Sequence, residues 1–390
     1  VYGGFSYQLT NDNEVEITGH ESPVGHLVIP DHIESKPVTS IAGNAFRFSS
    51  QLASITIPET TTFIGERAFA DCKNLSSISL PDSVNSVGDS LFQGCSSLEN
   101  AVLGRSIHSI SSGMFEECTS LGKLPLTKHV TSIGPLAFSS CNGLTEISIP
   151  DGVTSLGDGA FNMCQNLTSV YIGSGVNNVT YTQFRHCRNL TQLEVASSNI
   201  HISSLENVIY DKQQTTALFC PAGATGTIHL PATVTSIGIR AFNLCSGITT
   251  IELPDTLTSI DPYAFSNCSS LSSVIITGKR AFDPPSGIAT IELPGSLTTI
   301  GSSAFSSCTS LISVSIPANV TSIETGAFSH CRNLRRVEFE GNAPSMGNEV
   351  FHWTAPSFTV YAHSYAKGFD LPWWASWGYD VRYFEEFLYT

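Results

Sequence analysis

The sequence is poor in charge, poor in basic residues and free of long apolar runs. Charged residues are 13% of the 390 residues, about half of the share in an average globular protein. The net charge is −15, and the 18 Lys and Arg residues form no run, so the basic surface that nucleic acids require is absent. The same shortage disfavours an anionic membrane surface. No stretch approaches the roughly 18 apolar residues of a membrane-spanning helix, so we predict no membrane insertion.

The sequence also lacks the common local signatures of catalysis. It contains no G-x-S-x-G, H-E-x-x-H, phosphate-binding loop or dinucleotide fingerprint. Two pairs, His186–Cys187 and His330–Cys331, suggest metal ligands, but adjacent residues in a turn point in different directions and no further ligand converges on them. We therefore predict a protein that is not an enzyme and needs no cofactor or metal ion.

The eleven Cys residues are evenly spaced rather than clustered. Seven of the ten intervals between them are 23 residues, whereas a disulfide scaffold or zinc site has short spacings such as C-x₂-C. A constant interval indicates one position in a repeating unit. Ten Cys residues keep this position, and Cys220 does not: Cys72, Cys95, Cys118, Cys141, Cys164, Cys187, Cys245, Cys268, Cys308 and Cys331.

One repeat reads "CNGLTEISIPDGVTSLGDGAFNM", residues 141–163. Its L-x-x-I-x-I part alternates like a short strand, and the following Pro ends that strand. V-x-x-I-G is a second short extended piece, and A-F-x-x-C suits a turn. A unit of this length cannot bury its own apolar side chains, so repeats must stack into a β-rich solenoid of short parallel strands.

The Phe of A-F marks each coil of the predicted solenoid. Successive marks are Phe46, Phe69, Phe92, Phe115, Phe138, Phe161, Phe184, Phe242, Phe265, Phe282, Phe305, Phe328 and Phe351. The long interval after Phe184 contains a predicted hairpin at 207–231. The short interval before Phe282 predicts a dent or bulge at 278–287.

The two ends of the chain depart from the repeat. Residues 5–20 read as two alternating strands around a polar turn, which would cap the first coil. All four Trp residues follow the last repeat, where a solenoid needs a cap. We expect capping strands at 1–32, a solenoid at 33–352 and a C-terminal cap at 353–390. The start at Val1 rather than Met suggests a processed or trimmed chain.

The recurring L-x-x-I-x-I-P-x-x-V-T-S-I-G-x-x-A-F-x-x-C resembles the BspA-like, or Treponema pallidum type, leucine-rich repeat from about Ile33 to Phe351. This resemblance implies a leucine-rich repeat right-handed superhelix of about 14 coils. It also implies an extracellular or cell-surface location, because the family is found mostly on bacterial surfaces. Its better-known members bind host proteins such as fibronectin and fibrinogen, or other bacteria. We expect a monomer with a protein ligand from the host matrix or a neighbouring cell.

The Cys ladder has three interpretations: core packing, disulfides between coils, or metal binding. Side chains in register point the same way rather than at each other, and free Cys is among the most buried residue types. We favour packing, with each S–H donated to a loop carbonyl. A bulky thiol reagent should then label at most one or two thiols, Cys220 first.

A column of outward-facing residues is the strongest binding candidate. In each L-x-x-I-x-I strand, the residue between the last two apolar residues points away from the core. This column is neutral at first and becomes acidic, which suits a cationic partner or a Ca²⁺ ion. Ordinary solubilisation of a strand face is the alternative to a ligand site. Its candidate binding residues are Tyr171, Glu194, Glu252, Ile275, Glu292 and Glu338.

Three functions fit these features. The first is a recognition module that binds a protein with its strand face. The second is a spacer that presents another domain. The third is a carbohydrate-binding accessory, which depends on Trp373, Trp374 and Trp377 being exposed.

Overall fold

The computed structural model describes residues 1–277, 290–370, 374 and 378–384. Contacts divide the chain into two compact units, Val1–Ile202 and Ser203–Thr390. Each unit is a stack of coils in which parallel strands lie above one another. The predicted repeat solenoid is confirmed.

The strands of the first unit are short because each coil turns after a few residues. They are β1 (Phe5–Leu9), β2 (Val15–His20), β3 (Gly25–Val28), β4 (His32–Ile33), β5 (Lys36–Ile41), β6 (Leu52–Thr56), β7 (Phe63–Ile64), β8 (Ser77–Ser79), β9 (Ser86–Val87), β10 (Asn100–Val102), β11 (Ser109–Ile110), β12 (Ser132–Ile133), β13 (Glu146–Ile149), β14 (Ser155–Leu156), β15 (Ser169–Ile172) and β16 (Gln192–Val195).

Two ladders run along the first unit. The longer strands pair in three parallel sets, β3–β6, β8–β10 and β13–β15–β16. The V-x-x-I strands, which have two residues each except for the six-residue β5, form a second ladder, β5–β7–β9 and then β11–β12–β14. At the N-terminal end β1 and β2 form an antiparallel hairpin, and β2 adds parallel to β5, so its Val15 and Ile17 cover the first coil.

The remaining strands are β17 (Ile202–Leu205), β18 (Val208–Asp211), β19 (Thr216–Phe219), β20 (Thr225–His229), β21 (Ser236–Ile237), β22 (Gly247–Pro254), β23 (Ser259–Ile260), β24 (Ser273–Thr277), β25 (Thr290–Glu292), β26 (Thr299–Ile300), β27 (Ser313–Ile316), β28 (Ser322–Ile323), β29 (Arg336–Phe339), β30 (Ser345–Met346), β31 (Thr359–His363) and β32 (Asp380–Phe384).

The longer strands of the second unit form one continuous parallel sheet, β20–β22–β24–β25–β27–β29–β31–β32. The predicted hairpin is present but shorter than expected. It consists of β18 and β19, whose turn is held by the Asp211 carboxylate, which accepts from the backbone N–H groups of Thr215 (2.6 Å) and Thr216 (2.8 Å). The segment that follows, β20, leaves the hairpin and pairs with β22.

A column of stacked phenylalanine rings fills the core of both units. In the first unit, the centroids of successive rings from Phe46 to Phe184 lie 5.3–5.8 Å apart. In the second unit, the rings from Phe242 to Phe351 stack at 5.1–5.6 Å. Each ring therefore packs its two faces on the coils above and below, and no coil can bury its Phe alone.

The interpretation of Phe282 as a coil marker is wrong. The ring of Phe265 stacks directly on Phe305 at 5.2 Å, and β24 pairs with β25 through Val274 and Ile291. Adjacent coils are thus separated here by 40 residues of sequence rather than 23. The predicted dent at 278–287 lies outside the described residues.

The spacing of Phe and Cys follows from one shared carbonyl. The oxygen of Phe69 accepts from the backbone N–H of Cys72 in its own coil at 3.3 Å and from the thiol of Cys95 in the next coil at 3.1 Å. Eight further register thiols donate to the Phe carbonyl 26 or 43 residues earlier: Cys72, Cys118, Cys141, Cys164, Cys187, Cys268, Cys308 and Cys331. The thiol fills a narrow slot and satisfies the second lone pair of a buried acceptor.

All eleven Cys side chains are free thiols and all are buried, including Cys220, which is 1% exposed. We expect a bulky thiol reagent at pH 8 to modify none of them in the native protein and all eleven in urea. Burial raises the pKa of Cys331 to about 12, so its reactive thiolate is scarce as well as inaccessible. Counting modified thiols by mass spectrometry tests this. Rapid native labelling of register thiols would contradict the packing role.

Each regular coil turns through two residues in the left-handed conformation. The positions lie two residues before and two residues after the repeat Phe, and their φ angles are 53–73°. The earlier position carries Asn44, Arg67, Ser90, Gly113, Leu136, Gly159, Arg240, Tyr263, Ser303, Gly326 and Glu349. The later position carries Phe48, Asp71, Gly94, Glu117, Ser140, Met163, His186, Leu244, Asn267, Ser307, His330 and Trp353. The stacking of coils holds these residues in place, because the conformation costs an L-residue about 1–2 kcal/mol.

Aromatic side chains close the C-terminal end of the second unit. Trp374 is 1% exposed, packs on Phe339 and Phe369, and donates its indole N–H to the Gly368 carbonyl at 3.0 Å. Tyr379 packs edge-on against Phe351. The Tyr379 ring covers the last ring of the Phe column. Trp373 and Trp377 lie outside the described residues.

Candidate functional site: the strand face

The outward side chains of the longer strands form columns, one residue per coil, on a surface that we call the strand face. Alternation along each strand places every second side chain on this surface. In the first unit, Ser148, Tyr171 and Glu194 are aligned by the pairing of β13, β15 and β16. Tyr171 is 39% exposed and Glu194 is exposed. The predicted residues Tyr171 and Glu194 are therefore neighbours.

The other four predicted residues lie together in the second unit. Register pairs join Glu252 to Ile275, Glu292 to Ser315 and Ser315 to Glu338, and Val274–Ile291 pairing continues the column between them. The six candidates thus form two sets, one in each unit. The structure also extends the second set at both ends, with His229 before Glu252 and with Tyr361 and Arg382 after Glu338.

Basic side chains offset much of the acidity of this column. Arg336 stands on the same strand as Glu338, two residues earlier, and forms a salt bridge with its carboxylate. The Arg336 guanidinium also lies 3.9 Å from the centroid of the Tyr361 ring, a cation–π distance. At the end of the sheet Arg382 pairs with Asp380 at 2.9 Å. The C-terminal part of the face is a mixed, paired surface rather than an acidic patch.

His229 lies between two carboxylates. Its Nδ1 is 3.3 Å from Glu206 Oε2 and its Nε2 is 3.6 Å from Glu252 Oε1. All three side chains are partly open to solvent, with exposed fractions of 53%, 53% and 27% for His229, Glu206 and Glu252. Such solvent-exposed pairs contribute little to stability.

Within the described part of the second unit, Glu292 is the carboxylate of the column that has no ion-pair partner. It is exposed and makes no ion pair with any residue that the structure describes. Ile275 beside it is only partly buried and adds an apolar side chain to the surface. A partner that meets this part of the face would encounter a carboxylate next to an aliphatic patch.

A groove interrupts the strand face of the first unit. It has a volume of about 870 Å³ and lies between residues 123–128 and β13, with Tyr171 on its wall. Pro125, which the repeat pattern places in the outward column, lines it together with Pro150. Three further polar residues of the face, His229, Arg336 and Arg382, were not predicted from the sequence. Of these, Arg336 could have been found from its place two residues before Glu338 on one strand face.

The described residues hold no group of three His, Cys, Asp or Glu side chains arranged to bind a metal ion. In the same part of the chain, no helix has both the length and the apolar character needed to cross a membrane. Most carboxylates of the strand face are exposed or partly exposed to solvent.

Comparison with solved structures shows the same architecture in bacterial proteins. A leucine-rich cell-surface protein of Faecalibacterium prausnitzii is 23% identical, covers 98% of this chain and 97% of its own, and has a TM-score of 0.61. A leucine-rich repeat protein of Bacteroides ovatus is 22% identical with a TM-score of 0.59 over 98% of this chain and 99% of its own. The pneumococcal vaccine antigen PcpA is 16% identical with a TM-score of 0.54, and covers 98% of both chains. At these identities the likeness concerns the fold.

No curated protein sequence matches the chain significantly. A family model does: the BspA type leucine-rich repeat region matches six copies, over residues 26–145, 108–220, 212–280 and 273–361. These matches span the coils described above, from β3 to β31. The chain belongs to the BspA-type leucine-rich repeat family.

Proposed function

We propose that this chain is a non-catalytic recognition module that acts at a cell surface or outside the cell and binds another protein through its strand face. The observation that carries the proposal is the continuous eight-stranded sheet of the second unit. It holds Glu252, Ile275, Glu292, Glu338 and Tyr361 in register, so a partner meets a preorganised surface. Little side-chain ordering is then needed on binding.

The location rests on resemblance to surface proteins. One structural neighbour is described as a cell-surface protein and another as a vaccine antigen. The carboxylate of Glu292, which has no ion-pair partner among the described residues, would favour a partner with basic side chains, and this attraction would weaken as salt rises.

The test uses purified fibronectin and fibrinogen as probes against the whole chain. We expect saturable binding at physiological salt. The triple variant Glu252→Gln, Glu292→Gln, Glu338→Gln should bind at least about tenfold more weakly. A tenfold loss of affinity corresponds to about 1.4 kcal/mol, which the loss of three interfacial charges together should reach. A triple variant with the same change in charge, Asp255→Asn, Glu349→Gln, Asp370→Asn, alters exposed carboxylates outside the column. It should bind within about twofold of the wild type, because rim charges away from a contact contribute little.

Two results would count against this proposal. Absence of saturable binding to either probe would favour a spacer that presents another domain. Equal losses in both triple variants would show that net charge, and not the strand face, drives the interaction. The carbohydrate alternative loses support from Trp374, which is buried in the aromatic cluster rather than offered to a sugar.

A further inference from the structure

The ladder of longer strands is interrupted at Pro125. In the coil 121–128, Pro125 stands in the column position that Ser148 and Tyr171 occupy in the next two coils. Proline has no N–H and cannot extend a ladder. The ladder that reaches this coil from β10 accordingly ends in one bridge, Asn100–Lys123.

The same coil stays apart from β13 on its other side. Both segments are fully described, and no backbone hydrogen bond joins residues 123–126 to residues 145–149. The next pair of coils shows what is missing here: β13 and β15 pair over four residues, and Gly173 N–H donates to the Ile149 carbonyl at 2.9 Å. One edge of β13 is therefore open.

The open edge carries backbone groups that can form a ladder. Thr145 and Ile149 direct their carbonyls to β15. Because peptide groups alternate along a strand, Glu146 and Ser148 direct theirs to the opposite side, into the groove. An unpaired edge of this kind is a template for an added strand.

The groove has a side-chain contact at one end and a close backbone approach at the other. At one end Lys123 Nζ contacts Glu146 Oε1 at 2.9 Å. At the other end a Cβ on Gly152 would lie 3.2 Å from the Lys128 carbonyl oxygen, so the backbones approach closely. Between these contacts no backbone hydrogen bond joins the two described segments, and the groove of about 870 Å³ lies there.

The lining favours a polypeptide with apolar and acidic side chains. Pro125, Leu126, Pro150 and Tyr171 supply apolar surface, and the exposed Tyr171 ring offers a platform. Lys128 at the end of the groove is exposed and makes no ion pair with a described residue. Its charge is available to a carboxylate of the occupant.

We propose that this groove binds a short extended segment of a partner protein, which adds as a strand to the open edge of β13. The segment pairs its backbone with Glu146 and Ser148, packs an apolar side chain on Tyr171 and places a carboxylate near Lys128. The proposal rests on the protein-binding function above, but it concerns the strand face of the first unit rather than the sheet of the second unit.

The test pans the whole chain against a phage-displayed library of linear peptides and measures the enriched peptides on three variants. Pro125→Ser restores the missing donor and lets the coil rejoin the sheet, so it should close the groove. We expect enriched peptides to bind it at least about tenfold more weakly, because the loss of even a few backbone hydrogen bonds has this effect. Tyr171→Ala should weaken binding without closing the edge. Ser79→Ala, on the distant strand β8, is the control and should leave affinity unchanged.

Hydrogen exchange separates strand addition from other modes of binding. In the wild type, the Ser148 amide should exchange rapidly and become protected when the peptide binds. In Pro125→Ser it should be protected without peptide. Failure to enrich any peptide, equal affinity for wild type and Pro125→Ser, or an unprotected Ser148 amide in the complex would each overturn the proposal. None of these outcomes bears on fibronectin or fibrinogen binding by the second unit.

Discussion

Replacing Phe138 with alanine is expected to lower the free energy of unfolding by about 3–5 kcal/mol. The Phe138 ring is fully buried and stacks on Phe115 at 5.5 Å and on Phe161 at 5.3 Å. Truncation would remove contacts with both neighbouring coils and leave a cavity that backbone pairing of those coils keeps from collapsing. Urea unfolding followed by far-ultraviolet circular dichroism would measure the loss.

Phe48→Ala is the matched control, because it removes the same side chain from a position that is 64% exposed. Its effect should stay within about 0.5 kcal/mol, as for most surface substitutions. Comparable losses in the two variants would mean that the ring column does not dominate the stability of the solenoid.

Asn199→Asp is expected to destabilise the first unit by about 3 kcal/mol or more. Asn199 is fully buried and its amide nitrogen donates to the carbonyls of Gly173 (3.0 Å) and Val176 (2.9 Å). Its amide oxygen accepts from the backbone N–H groups of His201 and Ile202. A carboxylate would keep the two acceptor contacts but would face two carbonyl oxygens with no hydrogen to donate.

The same urea titration measures this variant, with Asn189→Asp as its control. Asn189 donates to the Gln165 carbonyl at 2.8 Å but is exposed, so water can replace the bond and the loss should be below about 1 kcal/mol. The large loss at the buried position should become smaller at low pH, where the introduced carboxyl group is protonated and can donate again. Similar losses in both variants would argue against a special role for the buried amide.

Periodicity was sufficient to predict the core. Residues such as Phe138 and Cys141 recur at fixed positions because every coil must offer the same slot to its neighbours, so one alignment predicts all of them. The prediction was wrong at Phe282, where an A-F dipeptide occurs without the Cys that completes the repeat. A ring can join the column only if its whole coil is present, and a dipeptide does not establish that.

The strand face was predictable in outline and not in its contacts. Alternation identifies which side chains point outward, and this places Glu252, Glu292 and Glu338 correctly in one column. Charge balance depends on neighbouring columns and on the register of irregular coils, which is why Arg336 and His229 were overlooked. Asn199 was overlooked because nothing in a single Asn indicates that four backbone groups will converge on it.

The paired left-handed positions have a consequence for how this chain tolerates change. None of the positive-φ residues in the described part of the chain is Val, Ile or Thr, although those residues are abundant elsewhere and Ser occurs repeatedly at these sites. β-branched side chains clash with the backbone in this conformation. Many of these positions are exposed, so solvent accessibility alone would mark them as freely replaceable. The backbone conformation instead restricts which residues fit at two positions in each regular coil. A redesigned repeat should therefore carry Gly, Asn, Asp or Ser at these two positions.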